Sequence, residues 1–131
     1  MNEVNKIIEQ AQVEQWPYPL VFDKLRDAGV INYEVTWKDG HYSFQYNLAN
    51  ATHPHPNPEE MGFIECSMSF STALAKKAMT ELQKGAMTYV EWVHAMAAAG
   101  ITSYCVNMKD RTVTYYNHDR TESFVEQVPE L

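Results

Sequence analysis

The fold is decided by one stretch of sequence, YEVTWKDGHYSFQY, at residues 33–46. Aromatic or β-branched residues alternate with polar ones on both sides of Asp39-Gly40. An Asp-Gly pair flanked by such alternation predicts a β-hairpin with a two-residue turn. The predicted facing pairs are Tyr33–Tyr46, Val35–Phe44 and Trp37–Tyr42. A slip of one residue would mix the apolar and polar sides, so the register is strongly specified.

The chain matches itself at an offset of 71 residues, which predicts an internal repeat. The match needs no gap between residues 4 and 47, and the apolar pattern keeps the same phase. The identical pairs include Tyr18 and Tyr89, Ala28-Gly29 and Ala99-Gly100, Tyr33 and Tyr104, and Lys38-Asp39 and Lys109-Asp110.

Two amphipathic helices are predicted before each hairpin, because apolar residues recur there with helical spacing. The first helix presents Val4, Ile7, Ile8 and Ala11 in one copy and Ala75, Ala78, Met79 and Leu82 in the other. The second presents Leu20, Val21, Leu25 and Ala28, and then Trp92, Val93, Met96 and Ala99. Thr88 and Glu91 have capping-box spacing, so the last helix is expected to begin near residue 88.

A second hairpin and two further strands complete the pattern. With Asp110-Arg111 at the second turn, the predicted facing pairs are Met108–Val113 and Val106–Tyr115. Third strands are predicted at residues 63–68 and 123–128, because both segments are short and contain β-branched or aromatic residues.

These elements predict an α+β fold: two pseudo-symmetric helix–helix–β-hairpin repeats share one antiparallel sheet, and the helices pack on one face of it. Neither repeat alone buries much surface, so the chain is expected to be a single domain over residues 1–131. The repeats span about residues 2–68 and 73–131, and a loop rich in proline and histidine at residues 50–60 joins them.

The composition argues against several classes of protein. Apolar residues make up 45% of the 131 residues and charged residues 21%, which is ordinary globular usage. The net charge of -7, without a basic cluster, argues against nucleic acid and anionic membranes as partners. No apolar run is long enough to span a bilayer, and the first residues do not resemble a secretory signal. Cys66 and Cys105 lack paired spacing and are expected to be free thiols in the cytoplasm.

The later half of the chain also carries a family resemblance. Its residues are Tyr89 before a helix, Ala99-Gly100-Ile101, Tyr104-Cys105-Val106 and Thr112-Val113-Thr114-Tyr115-Tyr116. This pattern resembles the family called domain of unknown function 1398, some members of which are labelled phage-envelope-like. The resemblance implies a bacterial or prophage-borne cytosolic protein. It implies no known reaction, so no catalytic residue follows from it and no cofactor is expected.

A metal site is one hypothesis for the segment THPHPNPEE at residues 52–60. His53 and His55 lie beside carboxylates, and imidazole and carboxylate are ordinary zinc ligands. The two histidines share a side only if the backbone is strand-like, whereas alternating prolines favour polyproline II. The competing interpretation, which we favour, is a stiff surface connector, because further ligands at defined spacing are missing.

A ligand-binding cleft is a second hypothesis. Where the two copies meet, the lining residues would be Tyr33, Tyr104, His94 and Cys105. Tyrosines with apolar bodies and polar tips suit pockets, and cysteine with histidine suits nucleophilic catalysis. The competing interpretation is core packing for the aromatic residues and a half-buried, unreactive thiol for Cys105.

The function that the residues favour is a non-catalytic protein-binding or regulatory module, or a homodimer formed through the polar sheet face. The sequence contains no phosphate-binding glycine loop and no nucleophile elbow, and an enzymatic role is therefore not favoured. The alternative is a small-molecule-binding protein or enzyme with a cleft at the seam between the repeats.

Overall fold

The computed structural model describes residues 3–49, 51–55 and 61–128, and the side chains of Gln12 and His55 lie outside this description. The helices are α1 Glu3–Glu14, α2 Tyr18–Asp27, α3 Thr72–Gln83 and α4 Tyr89–Ala98. The strands are β1 Asn32–Thr36, β2 Ser43–Leu48, β3 Ala51–His55, β4 Ser103–Asn107, β5 Thr112–Tyr116 and β6 Ser123–Gln127. Two helices followed by three strands occur in each half, and the predicted α+β class is confirmed.

One antiparallel sheet contains the six strands in the order β3-β2-β1-β4-β5-β6. Its two central strands, β1 and β4, come from different halves of the chain. Glu34 lies opposite Cys105 at the middle of this central pair. The halves are therefore joined by a backbone ladder as well as by side-chain packing.

The first hairpin has the register that the sequence predicts, since Tyr33 lies opposite Tyr46 and Val35 opposite Phe44. Its turn contains two consecutive residues with positive φ, Asp39 at 66° and Gly40 at 87°. Aspartate and glycine tolerate this conformation better than other residues do, which explains why Asp39-Gly40 sets the register.

The predicted register of the second hairpin is wrong by two residues. Val106 lies opposite Val113 and Tyr104 opposite Tyr115, so four residues connect the strands instead of two. A two-residue hairpin turn needs positive φ at both positions (type I′) or at the first (type II′), and Asp110-Arg111 contains no glycine. The longer connection needs positive φ only at Arg111, where φ is 55°. A shift of two residues keeps each side chain on its predicted face.

The third strand of the first half was predicted in the wrong place. Residues 63–68 form no regular secondary structure, and β3 lies instead within the segment predicted as a loop at residues 50–60. The loop prediction is therefore wrong for residues 51–55, while residues 56–60 lie outside the described part of the chain. The third strand of the second half is confirmed as β6.

The core lies between the helices and one face of the sheet. It joins buried residues of all four helices to the alternate sheet residues that face them. Trp37, Val35 and Val106 are completely buried on this inner face. Phe22 is as deeply buried in α2, although the predicted stripe of that helix omitted it. None of the helices in the described ranges has the length and apolar character needed to cross a membrane.

The opposite, outer face of the sheet carries polar side chains. Among the described residues, no helix covers it. Hydrogen bonds cross the strands there: the Asn47 amide donates to Asn32 Oδ1 at 2.5 Å, and the Thr52 hydroxyl donates to Asn47 Oδ1 at 2.6 Å. The two faces therefore differ sharply in polarity, as expected for an antiparallel sheet packed on one side.

The ends of α4 are set by two local signals. The Thr88 hydroxyl accepts from the Glu91 amide at 3.1 Å, and the Glu91 carboxylate accepts from the Thr88 amide at 2.8 Å, so the predicted capping box is confirmed. At the other end, Gly100 has φ of 85° and the chain turns directly into β4.

Candidate functional site

A groove runs along one end of the sheet, where parts of the chain far apart in sequence meet. It is bordered by the 3-10 turn Lys38–Gly40, the irregular segment 63–68, the end of α4 and the loop 117–120. Its wider, more apolar part has a volume of about 730 Å³. A second part of about 330 Å³ adjoins it, because Lys38, Thr102 and His118 line both.

Backbone hydrogen bonds hold the irregular segment in place. The Ile64 amide donates to the Gly40 carbonyl oxygen of the 3-10 turn at 2.9 Å, and the Ser67 amide donates to the Ala97 carbonyl oxygen of α4 at 2.9 Å. Just after the segment, the Ser71 amide donates to the carbonyl oxygen of Ala99, which follows α4, at 2.8 Å. Nε2 of the predicted ligand residue His94 lies 2.9 Å from the Met61 carbonyl oxygen and holds the start of the segment. The segment is therefore well fixed despite its lack of regular secondary structure.

Two large apolar side chains at the wider part of the groove are exposed. Phe63 exposes 64% of its surface and Met68 exposes 72%. The ring of Phe63 lies against Gly40, where a Cβ atom would be only 2.2 Å from the ring, and it meets the His41 ring edge-on. The absence of a side chain at residue 40 thus lets Phe63 lie across the turn.

The smaller part of the groove is polar. Thr102, Ser103 and Asn117 are the buried polar residues of the described chain, and all three line it. Lys38 and Arg120 add cationic groups, His118 adds an imidazole ring and Asp119 adds a carboxylate. Arg120 is already engaged, because its guanidinium pairs with Glu34 at 2.5 Å and lies 4.5 Å from the centre of the Tyr116 ring.

Cys66 is half-buried in the wider part. Its thiol donates to the Trp37 carbonyl oxygen at 3.5 Å. Burial raises the pKa of this thiol, and the nearby Asp39 carboxylate raises it further. A thiol with a raised pKa remains protonated at neutral pH and is a poor nucleophile.

The structure does not bring the four predicted ligand residues into one cleft. Tyr33 and Tyr104 meet edge-on with ring centres 6.4 Å apart, but both are buried on the inner face. Cys105 lies on the outer face opposite Glu34. His94 lies on α4, and its ring contacts the carbonyl oxygen of Met61. Burial raises the pKa of the Cys105 thiol, an effect to which the Glu34 carboxylate contributes.

Tyr33 and Tyr104 belong instead to a buried set of tyrosines between the helices and the sheet. The hydroxyl oxygens of Tyr89 and Tyr104 are 2.7 Å apart, and those of Tyr42 and Tyr89 are 3.0 Å apart. Tyr18 exposes 39% of its surface, and its hydroxyl forms a separate hydrogen bond with that of the buried Tyr33. Each α-helix that precedes a hairpin thus contributes one tyrosine that bonds to the first strand after it.

Burial is the main cause of raised pKa values in this set. It raises the pKa of Tyr42 to about 12 and raises those of five further tyrosines. These five are Tyr18, Tyr33, Tyr89, Tyr104 and Tyr115.

We expect the protein to lose stability steeply as the pH rises above about 10. An unfolded tyrosine ionises near pH 10, whereas these residues stay neutral in the folded state, so the unfolded state releases protons first. Each tyrosine that stays neutral lowers the free energy of unfolding by about 1.4 kcal/mol per pH unit in this range. Circular dichroism and tyrosinate absorbance should therefore change together between pH 10 and about 12. A protein that stays folded by circular dichroism while most of its tyrosines ionise near pH 10 would contradict this expectation.

The two predicted metal ligands, His53 and His55, both lie in β3 at one edge of the sheet. His53 is in β3, and its ring stacks on Tyr46 with the ring centres 5.4 Å apart. The backbone at His55 is strand-like, but its side chain lies outside the described part of the structure. Within the described residues, no three histidine, cysteine, aspartate or glutamate side chains are grouped closely enough to hold a metal ion.

The groove was not predicted. Phe63 and Met68 were interpreted as strand residues, and neither Lys38 nor His118 was assigned to a pocket. The residue that could have indicated the groove was Gly40, because a glycine lets another part of the chain approach closely. Nothing in the local sequence identifies Phe63 as the side chain that makes this approach.

The fold and groove define a class: an α+β protein with a six-stranded antiparallel sheet, four helices on one face and an open groove at one end. The chain belongs to the family described as protein of unknown function (DUF1398), whose model matches residues 5–127. A search of curated proteins gave no match to this chain.

Proposed function

We propose that this protein is a non-catalytic binding module whose groove holds a short segment of a partner protein. The observation that carries the proposal is the exposure of Phe63 and Met68, at 64% and 72%, in a groove of about 730 Å³. Exposed aromatic and methionine side chains that cluster at a concave surface are typical of protein interfaces.

The rigidity of the groove supports this proposal. Segment 63–68 is bonded to the 3-10 turn and to α4, so its side chains are presented from a fixed backbone. Binding then loses little conformational entropy on the side of this protein. Methionine can adapt its shape to different apolar side chains, and Phe63 supplies a flat surface.

The state of the two thiols supports binding over catalysis. Both pKa values are raised by burial, which disfavours the thiolate that a nucleophilic mechanism requires. Cys105 also lies next to Glu34, and a neighbouring carboxylate opposes thiolate formation.

A displayed library of random peptides tests the proposal. We expect selection on the wild-type protein to enrich peptides with an apolar anchor residue, and binding of these peptides to weaken about tenfold or more in Phe63→Ser or Met68→Ser. Val13→Ser is the matched control, because Val13 is 83% exposed and lies in α1, away from the groove. Binding constants and nuclear magnetic resonance shifts give the readout.

Two results would contradict the proposal that the groove binds these peptides. If the selected peptides bind Phe63→Ser, Met68→Ser and wild type equally well, the groove is not the binding surface. The same conclusion follows if the peptides shift resonances only outside residues 38–40, 63–68 and 117–120.

A second candidate function is small-molecule binding in the polar part of the groove. It rests on the burial of Thr102, Ser103 and Asn117 around a space of about 330 Å³ next to Lys38. Hydroxyl and amide groups beside the Lys38 ammonium suit a small anion, whereas the Asp119 carboxylate on the same lining opposes one. For the small-molecule or enzymatic alternative, we propose this polar part of the groove in place of the cleft between Tyr33 and Tyr104. Inorganic phosphate added in the same nuclear magnetic resonance experiment tests this second function.

We also propose that the two halves are an internal repeat. The offset of 71 residues relates Tyr33 to Tyr104 and Val35 to Val106, and the sheet pairs Tyr33 with Val106 and Val35 with Tyr104. The same offset relates the Tyr18–Tyr33 hydrogen bond to the Tyr89–Tyr104 hydrogen bond. A cytoplasmic location fits the two unpaired cysteines. The bacterial or prophage origin and the phage-envelope-like label stay proposals from the family resemblance alone.

A further inference from the structure

The two edges of the sheet differ in their capacity to accept another strand. β3 is one edge and β6 is the other. Antiparallel strands bond through alternate residues, so only every second residue of an edge strand directs its amide and carbonyl outward. The strand register and the hydrogen bonds at the strand ends identify these residues.

At the β6 edge the outward residues are Ser123, Val125 and Gln127. The Val128 amide donates to the Arg111 carbonyl at 2.8 Å and the Asn117 amide to the Glu122 carbonyl at 3.1 Å. By alternation, Phe124 and Glu126 bond to β5. The other three residues are exposed, and Val125 at the centre exposes 59% of its surface.

The β3 edge is blocked. The Trp37 amide donates to the Thr102 carbonyl at 2.8 Å, which fixes the alternation in β1 and, through the register of β2, in β3. Thr52 and Pro54 are then the outward residues. Proline has no N–H to offer, and prolines at sheet edges are a known protection against edge pairing.

We propose that the β6 edge binds the β6 edge of a second copy of this chain, as an antiparallel pair centred on Val125. The strand is self-complementary about this residue: Val125 meets Val125, Ser123 meets Gln127, and Phe124 meets Glu126. The outward residues are 123, 125 and 127 on both strands, so all three can form paired hydrogen bonds. No two carboxylates lie directly opposite each other.

The symmetric pairing of β6 with itself favours a second copy of the chain as its partner, whereas the net charge of the chain opposes this association. Each chain carries a net charge of -7, so two chains repel each other at low ionic strength. Salt screens this repulsion, because the Debye length falls to about 10 Å at 0.1 M. The dimer is thus expected to strengthen as salt is added, which is the opposite of an interface held by ion pairs.

Light scattering across a concentration series tests the proposal. The wild-type mass should rise with concentration from 15.1 kDa towards about twice that value, and the apparent dissociation constant should fall with added salt. Val125→Pro removes an outward N–H without removing a bond to β5, and it should weaken association about tenfold or more. Thr52→Pro makes the same change at the β3 edge and should leave association unchanged.

A cross-linking variant keeps the proposal falsifiable if Val125→Pro fails to fold. Residues opposite each other in a hydrogen-bonded antiparallel pair have Cα atoms about 5.5 Å apart, within the range of Cα separations that a disulfide spans. Val125→Cys should form a covalent dimer with oxidised glutathione, while Thr52→Cys and wild type should not. A strictly monomeric wild type at high concentration and salt, or equal cross-linking at residues 52 and 125, would overturn the proposal.

Discussion

Replacing Gly100 with alanine is expected to lower the free energy of unfolding by about 3–5 kcal/mol. Gly100 has φ of 85°, in the left-handed region that residues with a Cβ atom rarely adopt. A Cβ atom there would also lie 2.3 Å from the Ser69 carbonyl oxygen and 2.8 Å from Phe70 Cα. These neighbours are backbone atoms, so they cannot move aside by changing a rotamer.

The crowding at Gly100 is separable from the strain of its dihedral angle. Gly85 has a similar φ of 77°, but a Cβ atom there would meet nothing within 4 Å. Gly85→Ala is therefore the matched control and is expected to lose only about 1 kcal/mol. Thermal unfolding should place Gly100→Ala roughly 10 to 20 °C below wild type. Equal losses in the two variants would show that the contact with residues 69 and 70 contributes nothing.

Replacing Trp37 with alanine is expected to lower the free energy of unfolding by about 3–5 kcal/mol. Trp37 is completely buried, and its indole N–H donates to the Ile101 carbonyl oxygen at 2.7 Å. Its ring meets Trp92 and Tyr104 edge-on, with centres 6.5 and 6.0 Å apart. The substitution opens a large cavity and leaves the Ile101 carbonyl without this donor.

Two further variants divide the effect of Trp37 into its parts. Trp37→Phe keeps most of the buried ring and removes the indole hydrogen bond, so it is expected to lose about 1–3 kcal/mol. Trp16→Ala is the control, because Trp16 is only half-buried and its indole bonds to the exposed Glu14. Urea denaturation followed by circular dichroism gives all three values. The role assigned to Trp37 would be wrong if Trp16→Ala were as damaging as Trp37→Ala.

The sequence predicted the parts of the fold that are set by neighbouring residues. Asp39-Gly40 fixes the first hairpin because both residues accept positive φ, and the hydroxyl and carboxylate of Thr88 and Glu91 fix the start of α4. Side-chain alternation also assigned the inner and outer faces of both hairpins. Each of these features depends on atoms within a few residues of one another.

The errors fall where contacts between distant residues decide the structure. Pro54 argued against a strand at residues 51–55, yet β3 is an edge strand in which the missing N–H faces outward. The apolar residues of segment 63–68 argued for a strand, yet Phe63 lies across Gly40 and the segment bonds to α4. The groove has the same origin, because its walls come from four separate parts of the chain.

The predicted ligand residues show a different limit of prediction from sequence. Alternation alone places Tyr104 and Cys105 on opposite faces of β4, so the two side chains were never able to line one cleft. The sequence does not state which tyrosines will share hydrogen bonds, because Tyr42 and Tyr89 are 47 residues apart. Only the packing of α4 on the sheet brings their hydroxyl groups together.

The central position of β1 and β4 has a consequence for how the chain reaches its native state. Glu34 and Cys105 are paired in the sheet but lie 71 residues apart in the sequence, so the two central strands cannot pair during the early part of translation. Until β4 leaves the ribosome, β1 has an open side that is ready to pair wrongly. Contacts of such long sequence separation slow folding. The nascent amino-terminal half is accordingly the stage at which chaperones would be most needed.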